Sequence, residues 1–425
     1  MKIIESSRIK EKLYTEKLEN GMTVMIIPKK NARKKYAIWA THFGSIDNRF
    51  IMPTTGEEVF IPDGVAHFLE HKMFEQPNGT NSLDTLMAMG IDANAYTTND
   101  HTAYLFECTD HFEEGLTELM DYVQHPYFTD ENVEKEKGII GQEINMYDDE
   151  PGWQLYMNAL DCMYVENPIK IDIAGSIESI SKITPDVLYK CYNTFYNPSN
   201  MTMVLCGDFE PEKLLENIKQ KLLPKENIGE IKRIYPEKEN KINHTYASTK
   251  MEVSTPIFMI GYKDNDLESE NIVKKHIAIE ILLNMIIGKS SDLYQELYQE
   301  GIILAQPDMS YEFSKQYAHV LISGTSKEPK KIEEKLGQTI KNMIENGINE
   351  EHFERIKKKI YGDYVVEYNS VADIARMFLA DSFKGINSFD YIEEYDMVTK
   401  EYTQNILKEV FKEENRIMSV IEPSE

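Results

Sequence analysis

Cysteine is scarce in this chain. Only Cys108, Cys162, Cys191 and Cys206 occur among 425 residues, far apart and without a Cys-x-x-Cys pair. That spacing implies neither a thiolate zinc site nor a disulfide framework, and reduced structural thiols are the expectation. Basic residues are also in deficit: 46 Lys and Arg against 72 Asp and Glu give a formal charge of -26. Such a surface repels nucleic acid and anionic lipid, so neither is expected as a partner. Long apolar runs are missing. The longest, around Ile277 to Ile287, is too short to span a bilayer and contains Glu280. The first residues, Met1-Lys2-Ile3-Ile4-Glu5-Ser6-Ser7-Arg8, lack the apolar centre of a secretory signal. A cytoplasmic location is the resulting expectation.

What remains is the composition of a folded protein, 41% hydrophobic, 10% aromatic and 28% charged, with enough length for two domains. Asn20-Gly21 between apolar alternations predicts an early hairpin. Ala37 to Phe43, closed by Gly44, reads as a strand, and from Gly64 to Phe74 the apolar residues Val65, Phe68, Leu69 and Met73 take up helical spacing. One strand is expected around 95–108, then helices near 112–124, 130–147 and 153–164. Another helix follows Thr184-Pro185-Asp186, and an apolar strand runs from Met201 to Cys206.

A polar, lysine-rich stretch predicts a linker at 226–246, between a domain at 1–225 and a second at 247–425. The second half repeats the first weakly. Thr129-Asp130-Glu131-Asn132-Val133-Glu134-Lys135 resembles Asn349-Glu350-Glu351-His352-Phe353-Glu354-Arg355, an offset of 220 (353 − 133). Asn200 to Val204 resembles Asn415 to Ser419, an offset of 215 (415 − 200). Two copies of one α+β domain are expected.

The chemistry concentrates in His67-Phe68-Leu69-Glu70-His71. Residues four apart on a helix share a face, so His67 and His71 can offer two imidazole nitrogens to one ion. Glu70 sits on the same face, where its carboxylate can act as general base on water beside a zinc ion that lowers the water's pKa toward about 7. A third ligand is needed. Glu136 and Glu143, two helical turns apart on one stripe, both offer one, although helix glutamates are ordinarily solvated.

The inverted order His-x-x-Glu-His, set in Gly64-Val65-Ala66-His67-Phe68-Leu69-Glu70-His71-Lys72-Met73-Phe74, resembles the pitrilysin and insulinase family of zinc metallopeptidases. Asn94-Ala95-Tyr96-Thr97-Thr98 and His101-Thr102-Ala103-Tyr104 resemble its substrate-edge strand, and Glu136 and Glu143 its distal glutamates. The likeness extends over essentially the whole chain and is nearest to half-size bacterial, processing-protease-like members.

The resemblance implies half a clamshell: two homologous domains, each a mostly antiparallel sheet covered by helices. It implies one Zn²⁺ per chain on His67, His71 and Glu143, with Glu70 activating water and Glu136 supporting a zinc-bound histidine. It also implies that a peptide substrate adds as a strand along Ala93, Asn94, Ala95 and Thr97.

Shifting His67 and His71 by 220 lands on Ile287 and Ser291, so no second metal site is expected. The family also carries an arginine and a tyrosine in its far half; here Tyr298 and Leu304, in Leu297-Tyr298-Gln299-Glu300-Gly301-Ile302-Ile303-Leu304, stand in their places. A homologous subunit supplying that pair is therefore expected as partner. The competing readings are a non-catalytic peptide-binding or structural subunit, and a metal-storage or zinc-sensing protein; the second has no use for Glu70.

Overall fold

The Asn20-Gly21 pair does turn the chain between antiparallel strands, with Leu18 N–H bonded to Met22 O at 2.8 Å. The computed structural model describes residues 1–267 and 271–424; positions 268–270 and 425, within the expected second domain, lie outside the described residues. Two units are formed. The first comprises Met1–Ile144, Ile171–Tyr235 and Glu367–Ser388. The second comprises the described residues of Asn145–Lys170, Pro236–Val366 and Phe389–Glu425.

In chain order the first unit contains β1 (Lys2–Ser6), β2 (Glu11–Lys17), β3 (Thr23–Pro28), β4 (Lys35–Thr41), β5 (Arg49–Ile51), β6 (Glu58–Phe60), β7 (Asp92–Thr97), β8 (Thr102–Cys108), β9 (Met201–Gly207) and β10 (Lys232–Arg233). Seven of them build one sheet in the order β1-β2-β3-β9-β4-β8-β7, and β10-β5-β6 build a small second one. Only β3 and β9 run parallel in the large sheet. The single strand expected around 95–108 is in fact the hairpin β7–β8. Its Thr98 N–H bonds to His101 O at 2.8 Å around Asn99-Asp100, a pair of turn formers between two β-rich runs.

The second unit contains β11 (Tyr246–Met251), β12 (Ile257–Lys263), β13 (Asp308–Phe313), β14 (Ala318–Thr325) and β15 (Arg416–Pro423), in the order β11-β15-β12-β14-β13. Again one pair is parallel, β11 with β15. That is the order and sense of β3-β9-β4-β8-β7, so the weak sequence repeat is a repeat of topology.

Each unit is completed by a helix from the other half of the sequence. Helix Pro151–Met163 packs on β11, β12 and β15, whereas helix Val371–Lys384 lies along β4 and β9. Contiguous domains at 1–225 and 247–425 do not describe this exchange, because helical periodicity shows which face of a helix is apolar and not which sheet it covers. Nor is 226–246 a free tether. Arg233 Nε lies 3.0 Å from Asp47, and Glu239 accepts the backbone N–H groups of Val165, Glu166 and Asn167 at 2.8, 2.5 and 2.6 Å. The sequence reading also missed helix Ser82–Ala88, whose N-cap Asn81 accepts from Leu83 N–H. Among the described residues no helix is long and apolar enough to cross a membrane.

Candidate metal centre

The helix Val65–Lys72 begins at Gly64, where φ is +92°. A Cβ there would lie 2.3 Å from Ala174 O, so the close crossing of the two backbones requires glycine. Val65, Phe68 and Leu69 are buried in the core of the first unit, which turns the opposite face, with His67, Glu70 and His71, toward the helix Asp130–Asp148 and strand β7.

The second helix brings Glu136 and Glu143 to that face. Nε2 of His67 lies 3.7 Å from one Glu143 oxygen, and Nε2 of His71 lies 3.4 Å from the other. Among the described residues, His67, His71 and Glu143 are the one group of three His, Cys, Asp or Glu side chains placed to hold a metal ion, with ligand atoms within 4.8 Å of one another. Ligands about 2.1 Å from a tetrahedral zinc stand roughly 3.4 Å apart, and a His₂Glu donor set is one that zinc accepts, so these residues fit that ion. Glu136 is placed differently. Its Oε1 is 3.1 Å from Nδ1 of His71, the nitrogen turned away from Glu143. A carboxylate there fixes the imidazole's tautomer and orientation.

Electrostatics separate the two histidines. Burial, with the neighbouring His71, holds His67 down to about 4. Burial also acts to depress His71, but hydrogen bonds to Glu136 and Glu143 and the nearby Glu70 charge outweigh it and carry His71 to about 10. The His71 hydrogen bond lowers Glu143. For Glu136, the rise from burial is overcome by His71 and by Lys72. Burial raises Glu70, and a hydrogen bond from Thr97 opposes that rise.

Two partners were not visible in the motif. Lys72, 1% exposed, places its ammonium 3.4 Å from Glu136 Oε2 and also binds Glu75. Thr97 Oγ1 donates to Glu70 Oε2 at 2.7 Å. The first has a faint sequence signal, a lysine among the apolar positions of a helix; the second has none.

Strand β7 is the last strand of its sheet. Because Thr98 and His101 form a hydrogen-bonded pair, alternation makes 96/103 and 94/105 bonded pairs too, and turns the backbone groups of Ala93, Ala95 and Thr97 outward. The side chains of Ala93 and Ala95 pack against the core, while exposed Asn94 accepts the outward Ala95 N–H on its Oδ1 at 2.9 Å.

The corresponding places in the second unit hold other chemistry. Ile287 is buried at the end of helix Ile272–Ile287, and Ser291 caps helix Asp292–Gln299 by accepting from Tyr294 N–H. Tyr298 stacks on Tyr294 with ring centroids 5.8 Å apart, and Leu304 is 82% exposed.

Known proteins resemble this chain over most of its length. The family described as Insulinase (Peptidase family M16) matches residues 61–175, and that described as Peptidase M16 inactive domain matches residues 182–360. The Bacillus subtilis protein named uncharacterized zinc protease YmfH is 40% identical over 415 residues, 96% of each chain. This chain belongs to peptidase family M16. A further B. subtilis relative, uncharacterized zinc protease YmxG, is 24% identical over 376 residues, covering 85% of this M16 chain and 89% of its own. The crystal structure of a putative M16-like peptidase from Alicyclobacillus acidocaldarius superposes with a TM-score of 0.93 at 34% identity, covering 99% of this chain and 100% of that one. The Insulinase match covers the helix Val65–Lys72 together with Glu136 and Glu143, and the inactive-domain match covers Ile287, Ser291, Tyr298 and Leu304.

Proposed function

We propose that this chain is the catalytic, zinc-binding subunit of an M16 endopeptidase that cleaves peptides or unfolded precursor segments. The observation that carries the proposal is the convergence of His67, His71 and Glu143 beside a fourth group, the partly buried Glu70, which the ion does not need as a ligand. A storage or sensing site has no use for that carboxylate. When bound, zinc supplies a Lewis acid that polarises a carbonyl and brings water's pKa toward about 7.

The chain's own residues do the rest. Glu70 takes the proton of the attacking water and passes it to the leaving amine. Glu136 orients the imidazole of His71. The outward backbone of Ala93, Ala95 and Thr97 pairs with an extended peptide, and the amide of Asn94 swings off Ala95 N–H to admit it. Tyr298 offers no cation where the resembled family has its arginine, and Leu304 offers no phenol where it has its tyrosine. A homologous subunit supplies that pair in this proposal, making the working enzyme a heterodimer.

The test compares wild type with Glu70→Gln, each with and without a candidate partner subunit. Retained zinc with turnover reduced about 10²- to 10⁴-fold is expected of the variant. A wild type that, with its partner, cleaves no unfolded peptide instead makes the chain a peptide-binding subunit, and efficient cleavage by the isolated chain removes the heterodimer.

A further inference from the structure

Glu70 ends in a carboxylate on a two-carbon arm, and a general base needs one oxygen held toward the reacting water. Helix geometry fixes its Cα and Cβ but leaves the carboxylate to turn about its last torsion, which is broad. Among the described residues, the hydroxyl of Thr97 is the donor that reaches it, at 2.7 Å.

That hydroxyl is itself constrained. Thr97 is the final residue of β7, and its β-branched side chain has restricted χ1 freedom. It shares a strand face with Ala93 and Ala95, whose small side chains let the strand approach the site helix. Across the ladder sits Thr102, with Oγ1 3.4 Å from Thr97 Oγ1. The Thr102 proton is already committed to Phe43 O at 2.9 Å. Thr97 therefore directs its single proton to Glu70. The same residue turns its backbone N–H and C=O to the open edge of the sheet, so the strand that would receive substrate also holds the base.

We propose that Thr97 is a positioning residue that fixes the Glu70 carboxylate through Oε2 and leaves Oε1 oriented toward the space between His67, His71 and Glu143. The inference rests on the proposed peptidase reading. Thr97 acts through Glu70, not on the metal, and the sequence reading gave it only to the substrate strand. Loss of a hydrogen bond to a charged group should cost about 10- to 100-fold in the step that uses the oriented base, with metal affinity untouched.

The test uses zinc-loaded wild type, Thr97→Val, Thr97→Ser and Glu70→Gln. Zinc affinity is measured by competition with a chelator, and acetohydroxamate affinity by titration, since a hydroxamic acid binds such a site by giving its proton to the base. Thr97→Val should keep zinc affinity within about twofold and lose about tenfold or more in hydroxamate affinity, approaching Glu70→Gln, while Thr97→Ser restores it. With peptide and the partner subunit, the loss should appear in kcat with KM nearly unchanged.

Unchanged hydroxamate affinity in Thr97→Val overturns the proposal. So does failure of Thr97→Ser to rescue, which assigns the effect to packing, and so does a parallel fall in zinc affinity. A wild type that binds zinc but no hydroxamate overturns it as well. If hydroxamate binding follows the expected pattern and no peptide is cleaved, Thr97 still holds Glu70, and it is the peptidase reading that fails.

Discussion

His71 and Glu136 set the protonation of the candidate metal site at the scale of single residues. In the metal-free protein at pH 7, His71, carried to about 10, holds a proton, whereas His67, held down to about 4, is neutral. Glu143 and Glu136 are both lowered and ionised. Metal ligands must be deprotonated, so zinc uptake at pH 7 should expel about one proton, from His71. Calorimetry of zinc binding in buffers of different ionisation enthalpy reads that number; about two, or none, contradicts the assignment.

The signs of the stability effect are opposite for the two histidines. The His71 contribution is fully present below its unfolded value of 6.5 and is lost as pH rises through about 10. That of His67 is present above 6.5 and is lost as pH falls through about 4. Spacing left Glu136 and Glu143 as equal candidates, of which the family resemblance alone favoured Glu143, whereas the set His67, Glu70 and His71 was legible in the sequence because helical spacing is local. The contacts of Thr97 with Glu70 and Lys72 with Glu136 were not, since they join positions 27 and 64 apart and exist only once strand and helices have packed.

For the site helix as an element, the angle of entry is set at Gly64. Gly64→Ala places a methyl against Ala174 O at a position where φ is also unfavourable, so the chain must shift. A loss of about 1–3 kcal/mol is expected, read from the urea midpoint, together with weakened zinc binding. Gly56 is the control: its φ is +73° but among the described residues nothing lies within 4 Å of a Cβ built there. Gly56→Ala should cost about 1 kcal/mol and leave zinc binding alone. Equal effects of the two substitutions would show that the crossing with Ala174 does not position the helix. The sequence marks this helix well, because Val65, Phe68, Leu69 and Met73 keep one period. The stretch 95–108 was harder: Tyr96-Thr97-Thr98 and Thr102 to Cys108 both favour strand, and only Asn99-Asp100 divides them.

The whole molecule shows most plainly what a linear reading cannot contain. The repeat was visible as offsets of 220 and 215, and the shared strand order explains it. The trading of helices Pro151–Met163 and Val371–Lys384 was hidden, because each has the apolar stripe of any surface helix and nothing local states its destination. A fragment ending at Tyr235 carries every candidate metal ligand but lacks Glu367–Ser388, and with it the helix that lies along β4 and β9. It should fail to give a dispersed amide spectrum, and the full chain should give one; a well-folded, zinc-binding fragment would refute this. The exchange also sets a schedule for synthesis. A ribosome that has released residues 1–235 has made the parts of the candidate metal site but not the layer that closes their sheet. The nascent chain must wait, with that face of the sheet uncovered, until residues 371–384 have also been made.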